Sequence, residues 1–268
     1  MNGYVVAGID IGSLTAKTVI MDSNVKILSA NVTQRGIFVD EDAARDSFQA
    51  ALDQANLNRS DIAFTVSTGY GRKIAGFGDK DVTEISCHAR GAFFKNPAVR
   101  TIIDIGGQDS KVIGLDDSGS VAKFVMNDKC AAGTGRFIEV ISSALGMQLQ
   151  AIGELSLQSK HPASVSSTCV VFAESEVISL VSKGVSRTDV IAGVHLAIAK
   201  RMYGLIKNVG AKPVVLMSGG VAKNKGVVHF LEQVLETEIF VPEDPQIIGA
   251  IGAALYALDY AGSMEALV

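Results

Sequence analysis

Residues 10–20 read DIGSLTAKTVI, and residues 104–114 read DIGGQDSKVIG. Asp, Ile and Gly coincide, and a lysine follows at the same distance, Lys17 in one copy and Lys111 in the other. An apolar strand leads into each copy, YVVAGI and TIIDI. An apolar strand with a turn leaves each, KTVIMDSN and KVIGLDDSG. A third strand follows both times, VKILSANV and SVAKFVM. The chain uses one supersecondary unit, strand, glycine turn and strand, twice.

Outside the repeat, helices and strands alternate. Apolar spacing at Ala43, Ala44, Phe48, Ala51 and Leu52 predicts a helix over 40–56, and the strand IAFTVST then ends at Gly69. Helices are predicted near 135–145, 170–182 and 189–209. A strand, PVVLMSGG, and a helix from Asn224 follow. A last helix spans 245–260, with small residues on the face IGAIGAA. The pattern predicts two α/β domains with mixed sheets, 1–98 and 99–268, with a cleft between them and the last helix returning to the first domain.

Composition narrows the function. Of 268 residues, 48% are hydrophobic and 19% charged, enough apolar material for a sizeable core. A net charge of -4 gives no basic footprint for nucleic acid. No apolar run reaches bilayer-spanning length, so no membrane partner is expected. The start, MNGYVVAGIDIG, lacks a basic region and a cleavage signal and reads as a first strand. Three cysteines are too few for a secreted disulfide scaffold, and the expected location is cytoplasmic.

A glycine turn between strands presents backbone N–H groups that can cradle phosphate oxygens. Asp10 and Asp104 end their strands and could hold Mg²⁺ through waters. Ser13, Thr15 and Lys17 could donate to phosphate, and Gln108 could position an attacking water. An ordinary hairpin explains either turn alone; the matched pair favours phosphate. A third signal, MSGGVAKN at 217–224, ends a strand on Gly219 and Gly220, where a ring or ribose can lie against bare backbone. There is no Walker lysine motif and no GxGxxG after the first strand, which disfavours P-loop and Rossmann folds.

In this order, DIGSLTAK, DIGGQDSK and MSGGVAKN resemble the two phosphate motifs and the adenosine motif of the actin, sugar-kinase and Hsp70-type ATPase superfamily, over nearly the whole chain. The resemblance implies a duplicated ribonuclease-H-like fold with ATP or ADP and Mg²⁺ in the interdomain cleft. It implies nucleotide contacts from Gly12, Ser13, Leu14, Thr15, Ala16 and Lys17, from Gly106, Gly107, Gln108, Asp109 and Lys111, and from Gly219 and Gly220. Asp10, Asp104 and Gln108 would be the catalytic residues.

Cys130, in NDKCAAGTGRF, and Cys169, in SSTCVVFAESEV, each stand just before or at the start of a predicted helix. Helix N-termini favour anions, thiolates among them, and thiolates ligate metals and iron–sulfur clusters. A buried structural cysteine is the plainer alternative. Cys87, in EISCHARGAFF, reads as part of a packed amphipathic helix. A zinc site from Cys130, Cys87 and His88 has poor spacing. A [4Fe–4S] cluster takes four thiolates, and two suitable cysteines per chain make four in a twofold dimer.

NDKCAAGTGRF and SSTCVVFAESEVISL resemble the ATPase activators of 2-hydroxyacyl-CoA dehydratases, a family that includes the benzoyl-CoA reductase ATPase subunits. TGYGR at 68–72 and PEDPQIIGAIGAAL are similar too. The resemblance implies a homodimer with one [4Fe–4S] cluster held by Cys130 and Cys169 of both copies, working anaerobically. Reduced ferredoxin or flavodoxin would load the cluster, and ATP hydrolysis would drive one electron to the dehydratase component. Gly133, Thr134 and Gly135 would lie on the nucleotide side, and Gln246 beside the nucleotide. The alternatives are an ATPase subunit of a benzoyl-CoA-reductase-type enzyme, a small-molecule kinase such as an amino-sugar kinase, and a binding module that uses ATP as a switch. The kinase reading leaves the paired cysteines without a role, and the binding module would show no redox chemistry. Glu174 and Glu176 read first as solvated or paired helix carboxylates, with a relay of nucleotide state as the alternative; Asp128 sits where a sugar kinase of this superfamily would carry its base, or caps a helix. The four histidines show no ligand spacing.

Overall fold

The computed structural model describes residues 3–34, 41–73, 76, 78–128, 130–165 and 169–265. Asp40, Lys129 and 166–168, which belong to stretches read above, lie outside the described residues. The chain forms two compact units. One comprises Met1–Val99, Leu115–Ala122 and Gln246–Val268; the other comprises Arg100–Gly114 and Lys123–Pro245.

The first unit holds β1 (Val5–Ile11), β2 (Thr15–Asp22), β3 (Ile27–Gln34), β4 (Ile62–Thr68) and β5 (Lys80–Asp81), in the order β3-β2-β1-β4-β5. The first three strands form an antiparallel meander, while β4 runs parallel to β1 and β5 parallel to β4. The second sheet holds β6 (Thr101–Ile105), β7 (Ser110–Leu115), β8 (Val121–Asn127), β9 (Val215–Ser218) and β10 (Ile239–Phe240), in the order β10-β9-β6-β7-β8. Here β6 is antiparallel to β7 and parallel to β9, and β9 is parallel to β10. Read outward from its first strand, each sheet has the same order. The sequence repeat is therefore a topological repeat, the duplicated ribonuclease-H-like arrangement. The central strands β1 and β6 are buried almost throughout, which is why they read as continuous apolar runs.

The helices are α1 (Glu41–Ala55), α2 (Glu84–Lys95), α3 (Gly135–Ala144), α4 (Ile152–Ser156), α5 (Val170–Ser182), α6 (Arg187–Val209), α7 (Lys225–Leu235) and α8 (Ile248–Glu265). Their ends follow capping chemistry. Helix α6 starts two residues earlier than its apolar period because the Ser186 hydroxyl accepts from Asp189 N–H at 3.0 Å. It stops at Gly210, which takes φ +81°. Pro245–Ile247 form a single 3₁₀ turn, so the last helix begins at Ile248.

Helix α8 packs on β1, β4 and α2 within the first unit. Contrary to the sequence expectation, Pro245–Met264 is long and apolar enough to cross a bilayer, with mean hydropathy 1.3. Its apolarity is accounted for by burial, since 67% of that window is covered by the protein.

Candidate nucleotide turns and cysteine segments

The repeat spacing has a simple geometric meaning. Asp10 pairs with Lys17 across β1 and β2, and Asp104 with Lys111 across β6 and β7. Each hairpin closes through a glycine whose N–H donates to a carbonyl three residues on, Gly12 to Thr15 and Gly106 to Asp109, both at 3.0 Å. The side chains meet as well. Lys17 Nζ lies 3.2 Å from Asp10 Oδ2, and Lys111 Nζ lies 3.2 Å from Asp104 Oδ2. Lys111 also reaches Asp109 Oδ2 at 2.9 Å, and the Ser218 hydroxyl donates to Asp104 Oδ1 at 2.8 Å. Both lysines, read from sequence as phosphate-contacting, thus already balance an aspartate.

These groups are deeply placed. Asp10 and Asp104 are each 3% exposed and Lys111 is 1% exposed. Asp10 Oδ1 and Ser110 Oγ are buried with no hydrogen-bond partner among the described residues. A Cβ on Gly69 (φ +89°) would come within 2.5 Å of Asp10 Oδ1, so only glycine lets the chain pass there. A buried carboxylate oxygen without a donor is costly, and a cation or its bound water relieves the cost.

The other turn residues differ in access. Gly12, Ser13, Leu14, Thr15 and Gly107 are half-buried, and Gln108 is exposed at the tip of its turn. Ala16 is packed into the core of the first unit, so only its backbone can meet a ligand. Gly219 takes φ +87°, and a Cβ there would lie 2.3 Å from the Ile105 carbonyl. Its N–H donates at 2.9 Å to the carbonyl of Pro245, the residue before Gln246. A 3₁₀ turn, Gly220–Lys223, follows, and Asn224 caps α7.

The cysteine segments lie in the second unit. Asn127 Nδ2 donates to the carbonyls of Cys130 at 2.9 Å and Ala132 at 3.4 Å. Gly133 takes φ +86°, Thr134 is buried, and α3 then begins. The N–H of Gly135 donates to the Gly106 carbonyl at 2.9 Å, and that of Arg136 to the Gly107 carbonyl at 2.8 Å. The segment that starts at Cys130 is therefore bonded directly to the second glycine turn. The resemblance placed Gly133–Gly135 on the nucleotide side but did not name the Gly106–Gly107 carbonyls as partners of the segment.

Cys130 is half-buried against the core of this unit, and Cys169 is exposed at the N-cap of α5. The helices that follow them, α3 and α5, pack together. Neither helix has a side-chain cap at its N-terminus. Val171 and Phe172, next to Cys169, are 68% and 69% exposed. Cys87 differs from both: it is fully buried, and loss of hydration pushes its thiol up to about 12. It is a poor source of thiolate. Glu174 and Asp128 are exposed.

The same fold recurs at low identity in known structures. A ROK family glucokinase from Streptomyces griseus, in complex with glucose and AMPPNP, superposes with a TM-score of 0.57 over 95% of this chain and 99% of that one, at 12% identity. The chain thus has the fold of the actin, sugar-kinase and Hsp70-type ATPases. Residues 7–257 match the BadF/BadG/BcrA/BcrD ATPase family, and the chain belongs to it. The activator of lactoyl-CoA dehydratase from Anaerotignum propionicum is 50% identical over 254 residues, covering 95% of this chain and 97% of the relative. The activator of the 2-hydroxyisocaproyl-CoA dehydratase from Clostridium difficile, solved with bound ADPNP, has a TM-score of 0.94 at 44% identity, over 98% of both chains.

Proposed function

We propose that the chain is an ATP-hydrolysing redox activator that works as a cytoplasmic homodimer, with neither nucleic acid nor membrane as partner. Two copies would share one [4Fe–4S] cluster through Cys130 and Cys169 of each. The dimer would pass one electron to a 2-hydroxyacyl-CoA dehydratase component, with reduced ferredoxin or flavodoxin as donor. The observation that carries this reading is the pair of bonds from Gly135 and Arg136 to the Gly106 and Gly107 carbonyls. They join a phosphate-type turn to a cysteine segment through one short stretch of backbone. The activator relatives reported above support the same reading.

The residues present fit both groups. The orphaned Asp10 Oδ1 and the two aspartate-ended turns suit Mg²⁺ with its waters. One chain offers two accessible thiols where a cluster needs four, and the uncovered Val171 and Phe172 beside Cys169 suit a second copy. When bound, the cluster supplies one-electron chemistry at low potential. The chain's own residues do the rest. Gly12 to Lys17, Gly106 to Lys111, Gly133 to Gly135, Gly219, Gly220 and Gln246 bind and orient the nucleotide. Asp10 and Asp104 would hold Mg²⁺ through its waters, and Gln108, exposed at the tip of its turn, would orient the attacking water. A shift of the Gly106–Gly107 carbonyls on hydrolysis pulls the first turn of α3, and with it the Cys130 segment.

Anaerobic purification followed by iron and sulfide assay tests the reading. About four irons per dimer are expected. Cys130→Ser and Cys169→Ser should each lose them while still binding ADP. Full iron in both variants, or none in the anaerobically reconstituted native protein, overturns the assignment.

A further inference from the structure

His195 lies fully buried on α6, and none of the chemistry above uses it. Its ring is nonetheless completely partnered. The Ser156 hydroxyl, on α4, donates to the Gly153 carbonyl at 2.7 Å, so its oxygen accepts from His195 Nδ1 at 2.9 Å. That puts the proton on Nδ1 and leaves Nε2 as an acceptor. Asn224 Nδ2 stands 3.3 Å from Nε2 and donates to it. Asn224 Oδ1 accepts from Val227 N–H at 3.2 Å and so caps α7. The bonds all run one way, from the end of the Gly219–Lys223 turn to a carbonyl on α4. Burial pushes the imidazole down to about 3, so the ring stays neutral and keeps this single tautomer. Two glycines make the room: a Cβ at Gly226 would lie 2.1 Å from Ser156 Oγ and 2.6 Å from His195 Nδ1, and one at Gly153 would lie 2.9 Å from Asn224 Oδ1.

An apolar side chain would fill this space on α6 without such demands. A polar relay that needs two glycines and starts at a ligand-type turn serves orientation. Asn224 is the point of leverage, because its own N–H also closes the turn on the Val221 carbonyl at 2.9 Å.

We infer that His195 is a positioning residue for nucleotide binding, holding the Gly219–Lys223 turn in its binding shape through Asn224. The inference rests on the reading that Gly219 and Gly220 face the nucleotide. Two substitutions dissect the ring. His195→Asn keeps a donor near Nδ1 and loses the acceptor at Nε2; His195→Gln does the reverse. ADP affinity is measured by calorimetry with Mg²⁺, and thermal midpoints are measured without nucleotide. His195→Asn should weaken ADP about tenfold, which is about 1.4 kcal/mol, the size of one lost hydrogen bond. His195→Gln should stay within about twofold of the native protein, although both variants lose stability alike. A role in stability alone predicts equal affinities for the two. Ser156→Ala, a small truncation remote from the turn, releases the tautomer and should weaken ADP severalfold even if a His195 variant fails to fold. Gly220→Val separates the two readings. If it binds ADP normally, the turn does not face the nucleotide and both fall. If it binds poorly while His195→Asn and Ser156→Ala bind normally, or while Asn and Gln at 195 weaken ADP equally, the positioning role alone is overturned.

Discussion

Replacing Gly252 by alanine should destabilise the protein, while the same change at Gly204 should stabilise it. Both glycines lie inside helices, α8 and α6, so the difference comes from surroundings alone. A Cβ on Gly252 would stand 1.8 Å from the Cys87 carbonyl oxygen and 2.5 Å from its carbon, both on α2. An ordinary carbon–oxygen contact is about 3.4 Å, so the helices must part by roughly 1.6 Å. The opposite side is equally tight, since a Cβ on Gly91 would lie 2.1 Å from the Ile248 carbonyl. Overpacking of this kind costs about 3 kcal/mol, and the better helix propensity of alanine returns about 1. The net loss of about 2 kcal/mol lowers the thermal midpoint by roughly 4–8 °C. Gly204 has nothing within 4 Å, so alanine there should gain about 0.5–1 kcal/mol. Scanning calorimetry of the two variants measures both. The displacement should also reach the turn after Asp10, the proposed nucleotide contact: α8 sits on β1, where a Cβ on Gly8, two residues before Asp10, would lie 2.2 Å from the Ala250 carbonyl. Gly252→Ala should therefore weaken ADP binding as well. A midpoint within about 1 °C of the native value, or shifts of the same sign in both variants, would refute the packing argument.

Three further outcomes are expected. Gln108→Ala should slow ATP hydrolysis more than it weakens ATP binding, since a group that orients the attacking water acts mainly in the transition state; unchanged hydrolysis with weakened binding contradicts this in a steady-state assay. Removing Mg²⁺ with EDTA should weaken ADP binding by about tenfold or more, because both turn lysines already balance aspartates; equal affinity with and without the metal contradicts it. His195 gives the native protein an acid sensitivity that His195→Gln lacks. The unfolded chain protonates this residue near 6.5 and the folded chain only near 3, so its contribution is complete above pH 6.5 and falls as pH drops towards 3. By pH 5 the native protein loses about 2 kcal/mol that the variant keeps, read as the difference between their urea midpoints across pH; parallel profiles contradict it.

What the sequence revealed follows from which forces are local. The paired DIG stretches were legible because a hairpin needs its glycine and its flanking apolar strands within a dozen residues. Helix α1 was legible through its apolar period, and α3, α5, α6 and α7 were placed within two residues of their observed starts. Elements β5, β10 and α4 were not, because two to five residues carry no readable period. The small face of α8 was visible, but not the partners that require it, since β1 and α2 lie far away along the chain. His195 had a signal that went unused: one polar residue in the apolar run VIAGVHLAIA, on a largely buried stretch of helix. Such a residue needs a partner, and the partner, Asn224, was already legible as the cap of the next helix.

The identical Asp–Lys pairing in the two hairpins bears on how this fold handles charge. A lysine seven residues after an aspartate is equally compatible with a hand reaching for phosphate and with an internal counter-ion, and spacing alone does not choose. The register chooses, because it places the two side chains opposite each other in both copies. Buried at 3% exposure, neither aspartate is held cheaply without its lysine. The first turn then presents a balanced pair and the second sets one lysine against two aspartates, so under the proposed function attraction for a polyanionic nucleotide would come from backbone N–H groups and from a cation. The second glycine turn is also bonded by two hydrogen bonds to the cysteine segment, so under the proposed function a change in what that turn holds would be felt by the segment.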